Sequence, residues 1–200
     1  MLQNYRAISQ RYAKTRQLRA IFRWPRSQKF EHRMDFLHEY HSPFGCLTIA
    51  SDGQNLIGLW FKGQKHYAAT LDAEWSYRDL KIFSQVKHWL DQYFAGKIPS
   101  SHPPLLLRTT DFQQAVAKIL LQIPYGQTMT YKAIAQIMAK RKHLKSMAAQ
   151  AIGQAVGHNP ISLIIPCHRV IGSSGQLTGY AGGVRLKTKL LELEKAARRT

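Results

Sequence analysis

Apolar and polar positions alternate through the first third of the chain and then switch to a helical period. The stretches Gly45 to Ser51 and Asn55 to Phe61 read as strands on either side of Asp52-Gly53, a dipeptide that accepts the positive φ of a tight turn. Together with the residues from Asp35 onward they predict a β-meander. Between Asp79 and Phe94, Ile82, Phe83, Val86, Trp89, Leu90 and Tyr93 recur at helical spacing, and Gly96 follows where a C-terminal cap would lie. That helix is expected to cover the sheet. Pro99, Pro103 and Pro104 then disfavour helix across 97–108 and suit an extended connection, so the domain boundary falls there.

Beyond the boundary the pattern is helical. Thr110 and Gln113 have capping-box spacing, and Phe112, Val116, Ile119, Leu120 and Ile123 form one stripe that stops at Pro124. A second helix is predicted from Thr130, with Tyr131, Ile134, Ala135 and Met138 inward. A third, over about Ser146 to Val156, is built of small residues: Ala148, Ala149, Ala151, Gly153 and Ala155. Two short helices joined by a turn describe a helix-turn-helix reader, and equally an ordinary helical hairpin that packs closely. The pattern thus predicts a two-domain α/β protein: a sheet with one covering helix over 34–97, a linker over 98–108 and a helical domain over 109–200.

Composition changes the picture chiefly through charge. Among 200 residues, 44% apolar, no uninterrupted apolar run approaches the length of a membrane span. Twenty-nine Lys and Arg against eleven Asp and Glu give +18, which points to a polyanion, nucleic acid ahead of a membrane surface. Residues 1–33 hold nine of the cations (Arg6, Arg11, Lys14, Arg16, Arg19, Arg23, Arg26, Lys29, Arg33) and one acid, Glu31, nine minus one or +8. This basic extension reads as a transit peptide, as a nucleic-acid arm, or as sequence upstream of a true start at Met34. The remaining +10 keeps 34–200 basic without it. Cys46 and Cys167, the two cysteines, lie in unlike surroundings, so no disulfide is expected and a reducing, cytoplasmic setting fits.

The chemistry concentrates after Asn159. Leu163 to Ile165 is a short apolar run, and Pro166 is expected to set the first turn of a helix, leaving Cys167 beside unpaired helix amides that favour a thiolate. His168 with an acid could form the base relay that takes its proton. A buried, inert thiol has the same composition. The segment Pro166-Cys167-His168-Arg169-Val170 resembles the active-site signature of the O6-alkylguanine-DNA alkyltransferases, the methylated-DNA–protein-cysteine methyltransferases. Phe112-Gln113-Gln114, Ile123-Pro124-Tyr125-Gly126, Thr130-Tyr131, Gly157 to Pro160 and Leu177 to Gly183 follow the same family's blocks in the same order. The resemblance runs from about Met34 to Glu194, strongly in the second half.

That resemblance implies a ribonuclease-H-like first domain and a winged-helix-like second. It implies direct reversal of damage: an alkyl group on guanine O6, or thymine O4, of double-stranded DNA moves irreversibly to the cysteine of a monomeric protein that needs no cofactor. Cys167 would be nucleophile and acceptor, and His168 the base, through a bridging water. Glu194, rather than its neighbour Glu192, would orient the imidazole, and Asn159 would brace the hinge before the active-site segment. Tyr131 would press on the target phosphate and protonate the departing guanine. Val170, Gly179, Tyr180 and Ala181 would line the base pocket, and Thr130, Ala148, Ala149, Gln150, Ala151 and Ser173 would meet DNA at its minor groove.

The chain also departs from the pattern. Gln150 stands where many members carry an arginine that fills the gap left by the flipped nucleotide, and Lys140 to Lys145 adds a basic stretch that suits phosphates or is simply solvated. The cysteine pairing with which some members hold a structural zinc is missing. Cys46 is solitary, and His32, His38, His41 and His66 show no ligand spacing, so no metal is expected. Two other functions compete: a lesion-sensing relative that transfers nothing, against which Cys167 counts, and a Cys-His-Glu thiol hydrolase, against which the charge and the small-residue helix count.

Overall fold

The alternation resolves into a meander of β1 (Asp35–Ser42), β2 (Gly45–Ser51) and β3 (Leu56–Phe61), antiparallel in sequence order. The computed structural model describes residues 34–72 and 74–197; the basic extension 1–33 and its three readings lie outside the described residues. At the β2–β3 turn the Asp52 carboxylate accepts from the amides of Gln54 and Asn55, while Gly53 takes φ +97°. A fourth strand that the pattern did not predict, β4 (Trp75–Tyr77), pairs parallel with β1, giving the order β3-β2-β1-β4. Three residues, two of them exposed, are too short for alternation to register.

The helix expected to cover this sheet does so. α1 (Lys81–Phe94) buries Ile82, Phe83, Val86, Trp89, Leu90 and Tyr93 in one core with Leu47, Ile49 and Leu59. The opposite sheet face forms a smaller cluster of Leu37, Ala50, Ile57 and Trp60. On β3 the Trp60 ring lies back over Gly58, where an added Cβ would stand 1.8 Å from the ring. Gly58→Ala is therefore expected to cost at least about 1–3 kcal/mol, the range for forcing extra carbon into a packed site, measured by urea denaturation. A cost below about 0.5 kcal/mol would mean the ring can move aside freely.

The outer edge of β3 is not left open. Leu56 N–H donates to Pro104 O and Leu106 N–H to Leu56 O, so the proline-rich connection lies along the strand with Leu105 and Leu107 buried. Further along the same edge, Leu59 N–H donates to Pro160 O and Ser162 N–H to Leu59 O, each at 2.8 Å. The segment leading to Cys167 is thus fastened to the first domain's sheet, and both covering segments satisfy backbone groups an edge strand would otherwise expose.

In the second domain, α2 (Asp111–Leu120) opens with the complete Thr110–Gln113 capping box, and α3 (Tyr131–Arg141) is capped by the Thr130 hydroxyl, which accepts from Ala133 N–H. The small-residue helix, α4 (Ala149–Gly157), starts later than the Ser146 expected, because the first amide to fold back is Ala151 N–H, onto Ala148 O. A two-residue parallel ladder joins β5 (Met129–Thr130), just before α3, to β6 (Val170–Ile171), just after the Cys167 segment. The last helix, α5 (Val184–Ala197), turns Lys187, Leu190 and Glu194 inward at helical spacing. The architecture is a two-domain α/β fold, and no helix among the described residues is long and apolar enough to cross a membrane.

Candidate active site

Asn159 follows the end of α4 and is buried. Its Oδ1 accepts from Ile161 N–H, and its Nδ2 lies 2.8 Å from Ile165 O, 3.1 Å from Ile161 O and 3.1 Å from Cys167 Sγ. An amide nitrogen has two hydrogens, so with Ile165 O taking the shortest bond the other is shared between a carbonyl and the sulfur. Within the turn that Asn159 braces, Leu163 adopts φ +66°, a left-handed conformation that costs a side-chain residue of order 1–2 kcal/mol. Buried packing of Leu163, Ile164 and Ile165 holds it there.

The helix expected after Pro166 is a single 3-10 turn, Cys167–Arg169. Pro166 has ψ 65°, off the helical region, and Cys167 N–H bonds to Ile165 O at 2.8 Å, so the amides beside the thiol belong to one 3-10 turn and not to the start of a longer helix. The expected preference for thiolate is corrected with it. Cys167 is only 3% exposed, and burial pushes its thiol above the usual range. Against burial work the Asn159 amide, the Lys187 ammonium and nearby backbone N–H groups, all of which favour a negative sulfur. The resting group is a protonated thiol in surroundings prepared for its anion.

Glu194, from α5, meets His168 at 2.7 Å through Nε2, whereas Glu192 is exposed. Glu194 also accepts from the Arg169 guanidinium, from Gly126 N–H at 2.8 Å and from the Tyr93 hydroxyl at 2.9 Å. Burial pushes this carboxyl up, but the bonds and charges of His168 and Arg169 outweigh it and hold it at about 2. An ionised carboxylate only accepts, so His168 carries its proton on Nε2. Nδ1 is left with a lone pair and has no hydrogen-bond partner among the described residues. Burial lowers the His168 pKa despite Glu194, so the imidazole is neutral near pH 7 and able to take a proton.

Three residues of this cluster were not assigned roles from sequence. Arg169 anchors Glu194 and donates to Ile123 O at 2.7 Å; its place inside the quoted signature was the available signal. Tyr93 belongs to the apolar stripe of α1 and is buried, and its hydroxyl crosses from the first domain to Glu194. Lys187 is fully buried, donating to Val170 O and Thr178 O, and its inward register with Leu190 and Glu194 was the overlooked cue. Burial lowers its pKa from 10.5 to about 8, partly countered by the Cys167 sulfur.

Tyr131 opens α3 and directs its hydroxyl to the carbonyls of Thr178 and Gly179 at 3.3 and 3.2 Å. Burial first, and second the negative charge Cys167 carries once ionised, raise its pKa, which keeps it a proton donor. Gly179 has φ +64°, and a Cβ there would meet the Tyr131 oxygen at 2.9 Å, so the loop needs glycine at this point. Tyr180 is buried with its ring edge toward His168, centroids 6.4 Å apart; Val170 is buried and Ala181 half-buried. Ala148, Ala149, Gln150 and Ser173 are exposed and Ala151 is half-exposed, while Thr130 already spends its hydroxyl on the α3 cap.

The 6-O-methylguanine DNA methyltransferase family matches over both domains: its ribonuclease-like domain over residues 37–106 and its DNA-binding domain over 111–196. A methylated-DNA–protein-cysteine methyltransferase of Mycobacterium tuberculosis is 48% identical over 156 residues, 78% of this chain and 89% of that protein. One from Methanosarcina barkeri is 44% identical over 155 residues, 77% and 93% of the two chains. The crystal structure of M. tuberculosis OGT in complex with DNA superposes with a TM-score of 0.71 at 44% identity, covering 81% of this chain and 94% of that one. With both domains matched in order and a buried Cys-His-Glu constellation at the second, the chain belongs to the 6-O-methylguanine DNA methyltransferase family.

Proposed function

We propose that this protein repairs alkylated DNA by direct reversal, moving an alkyl group from O6 of guanine, or O4 of thymine, to Cys167 in a single irreversible turnover. The observation that carries the reading is the Cys167 sulfur, 3.1 Å from the Asn159 amide and next in sequence to a neutral His168 paired with ionised Glu194. The thiol proton passes through a bridging water to His168 Nδ1, and the resulting imidazolium is steadied by Glu194. The sulfur then attacks the alkyl carbon as the carbon–O6 bond breaks, and Tyr131 gives the departing purine a proton. The product is a neutral thioether, from which no step regenerates the thiol.

The target base must leave the helix to reach a sulfur this deeply buried, and Val170, Gly179, Tyr180 and Ala181 form the pocket that receives it. Ala148, Ala149, Ala151 and Thr130 approach the minor groove, with Gln150 taking the vacated place in the stack without adding charge, and Ser173 a contact on the following loop. A chain of +18 suits a DNA partner, read here as duplex bearing alkylated bases and bound by a monomer in the cytoplasm. Residues 34–97 act as the scaffold domain, 98–108 as the linker and 109–200 as the DNA-binding, alkyl-accepting domain.

Incubated with a duplex bearing O6-methylguanine, the protein is expected to gain one methyl mass on the Cys167 peptide and to stop at one equivalent, while Cys167→Ala gains none. Bound duplex with an unmodified peptide would make the chain a sensor, and continued turnover would make it a hydrolase.

A further inference from the structure

The first domain holds a second cluster of donor side chains, remote from the Cys167 site in sequence and assembled by strand register. In the β1–β2 pairing His41 stands opposite Cys46, and Glu39 lies two residues before His41 on the same face. A Cys46 sulfur, a His41 ring nitrogen and a Glu39 carboxylate oxygen all lie within 4.8 Å of one another. The carboxylate is already divided in its contacts. Oε1 pairs with Lys62 at 2.8 Å, while Oε2 faces the Cys46 sulfur at 3.8 Å. From this arrangement we infer that Glu39, His41 and Cys46 form a binding site for a borderline divalent transition ion of the Zn(II) class, which cross-links β1 to β2 beside their hairpin.

The donor set decides the class of ion. Thiolate plus imidazole selects against Mg(II) and Ca(II), which take oxygen, and fits Zn(II) or Co(II) with one carboxylate and an open fourth position. Tetrahedral bonds of the usual lengths put such donors about 3.3–3.5 Å apart, so the cluster needs to close only by rotation of three side chains at the rim of the sheet. Lys62 keeps Oε1 and leaves Oε2 to the ion, and the Cys46 proton is released to solvent on binding. Linear spacing could not reveal this site, because its closeness comes from cross-strand pairing.

Co(II) titration of the full-length protein reports the site directly, since a thiolate-to-cobalt charge-transfer band requires one of only two cysteines. One equivalent of Co(II) should produce the band, Zn(II) should displace it, and Zn(II) but not Mg(II) should raise the melting temperature. The band should vanish in Cys46→Ser, persist in Cys167→Ala, and need at least about tenfold more Co(II) in His41→Ala. Cys46→Ser should still accept a methyl group from DNA, which shows that it folds. No band at saturating Co(II), or a band lost in Cys167→Ala and kept in Cys46→Ser, would overturn the assignment.

Discussion

Replacing Lys187 with methionine is expected to slow alkyl transfer at neutral pH by about tenfold or more while leaving the protein folded. The Lys187 ammonium is the cation whose charge favours the Cys167 anion, and one unit of thiol pKa is worth about 1.4 kcal/mol, or tenfold in thiolate at fixed pH. Stability is pulled in opposite directions. Removing a buried ammonium relieves its desolvation, while leaving the Val170 and Thr178 carbonyls unpaired costs about 1–3 kcal/mol. The melting temperature should therefore move little as reactivity falls. Single-turnover rates against pH carry the sharper test. Lys187 loses its proton at about 8, so the wild-type rise should bend there as the sulfur loses its counter-charge. In Lys187→Met the bend should disappear and the rise should move to higher pH. Superimposable profiles would remove Lys187 from the chemistry.

Why Lys187 escaped the sequence reading while Glu194 did not is a matter of what patterns encode. The capping box at Thr110 and the buried face of α1 depend on spacing alone, and spacing is printed in the sequence. Glu194 was found because the family signature implied an acid there. A lysine on an inward helix register reads as a break in an apolar stripe, and only the fold shows two carbonyls waiting for it. Tyr93 failed to stand out for the opposite reason: it satisfies the apolar pattern completely, and its hydroxyl gains meaning only when α1 meets α5 across the domain boundary. The single turn after Pro166 has a local cause, since proline fixes φ and leaves ψ free, so the same residue opens a helix or a single 3-10 turn. β4 is too short to carry a period, and the Glu39, His41 and Cys46 cluster exists only in cross-strand register.

The largest combined loss of stability and activity is expected from Glu194→Gln. Its carboxylate is the shared acceptor for His168, Arg169, Tyr93 and Gly126, and the substitution leaves the buried charge of Arg169 without its counter-ion. Breaking a buried pair from one side costs about 3–5 kcal/mol, which urea denaturation at pH 7 would measure. Transfer should fall by about 10²–10⁴, because the imidazolium formed when His168 takes the thiol proton loses its partner. Acid sharpens the test. Glu194 titrates at about 2 when folded against 4.5 unperturbed, so its contribution is complete above 4.5 and is lost as pH falls toward 2. His168 acts in the same direction, since its lowered pKa lets the unfolded chain bind a proton first below 6.5. In Glu194→Gln the step that begins at 6.5 should deepen, because Glu194 no longer holds the His168 pKa up, while the carboxylate's own contribution to the fall between 4.5 and 2 should be gone. Wild-type steepness in that lower window would show that the acid sensitivity of the fold arises elsewhere, and that the carboxylate does not hold the two domains' polar centre together.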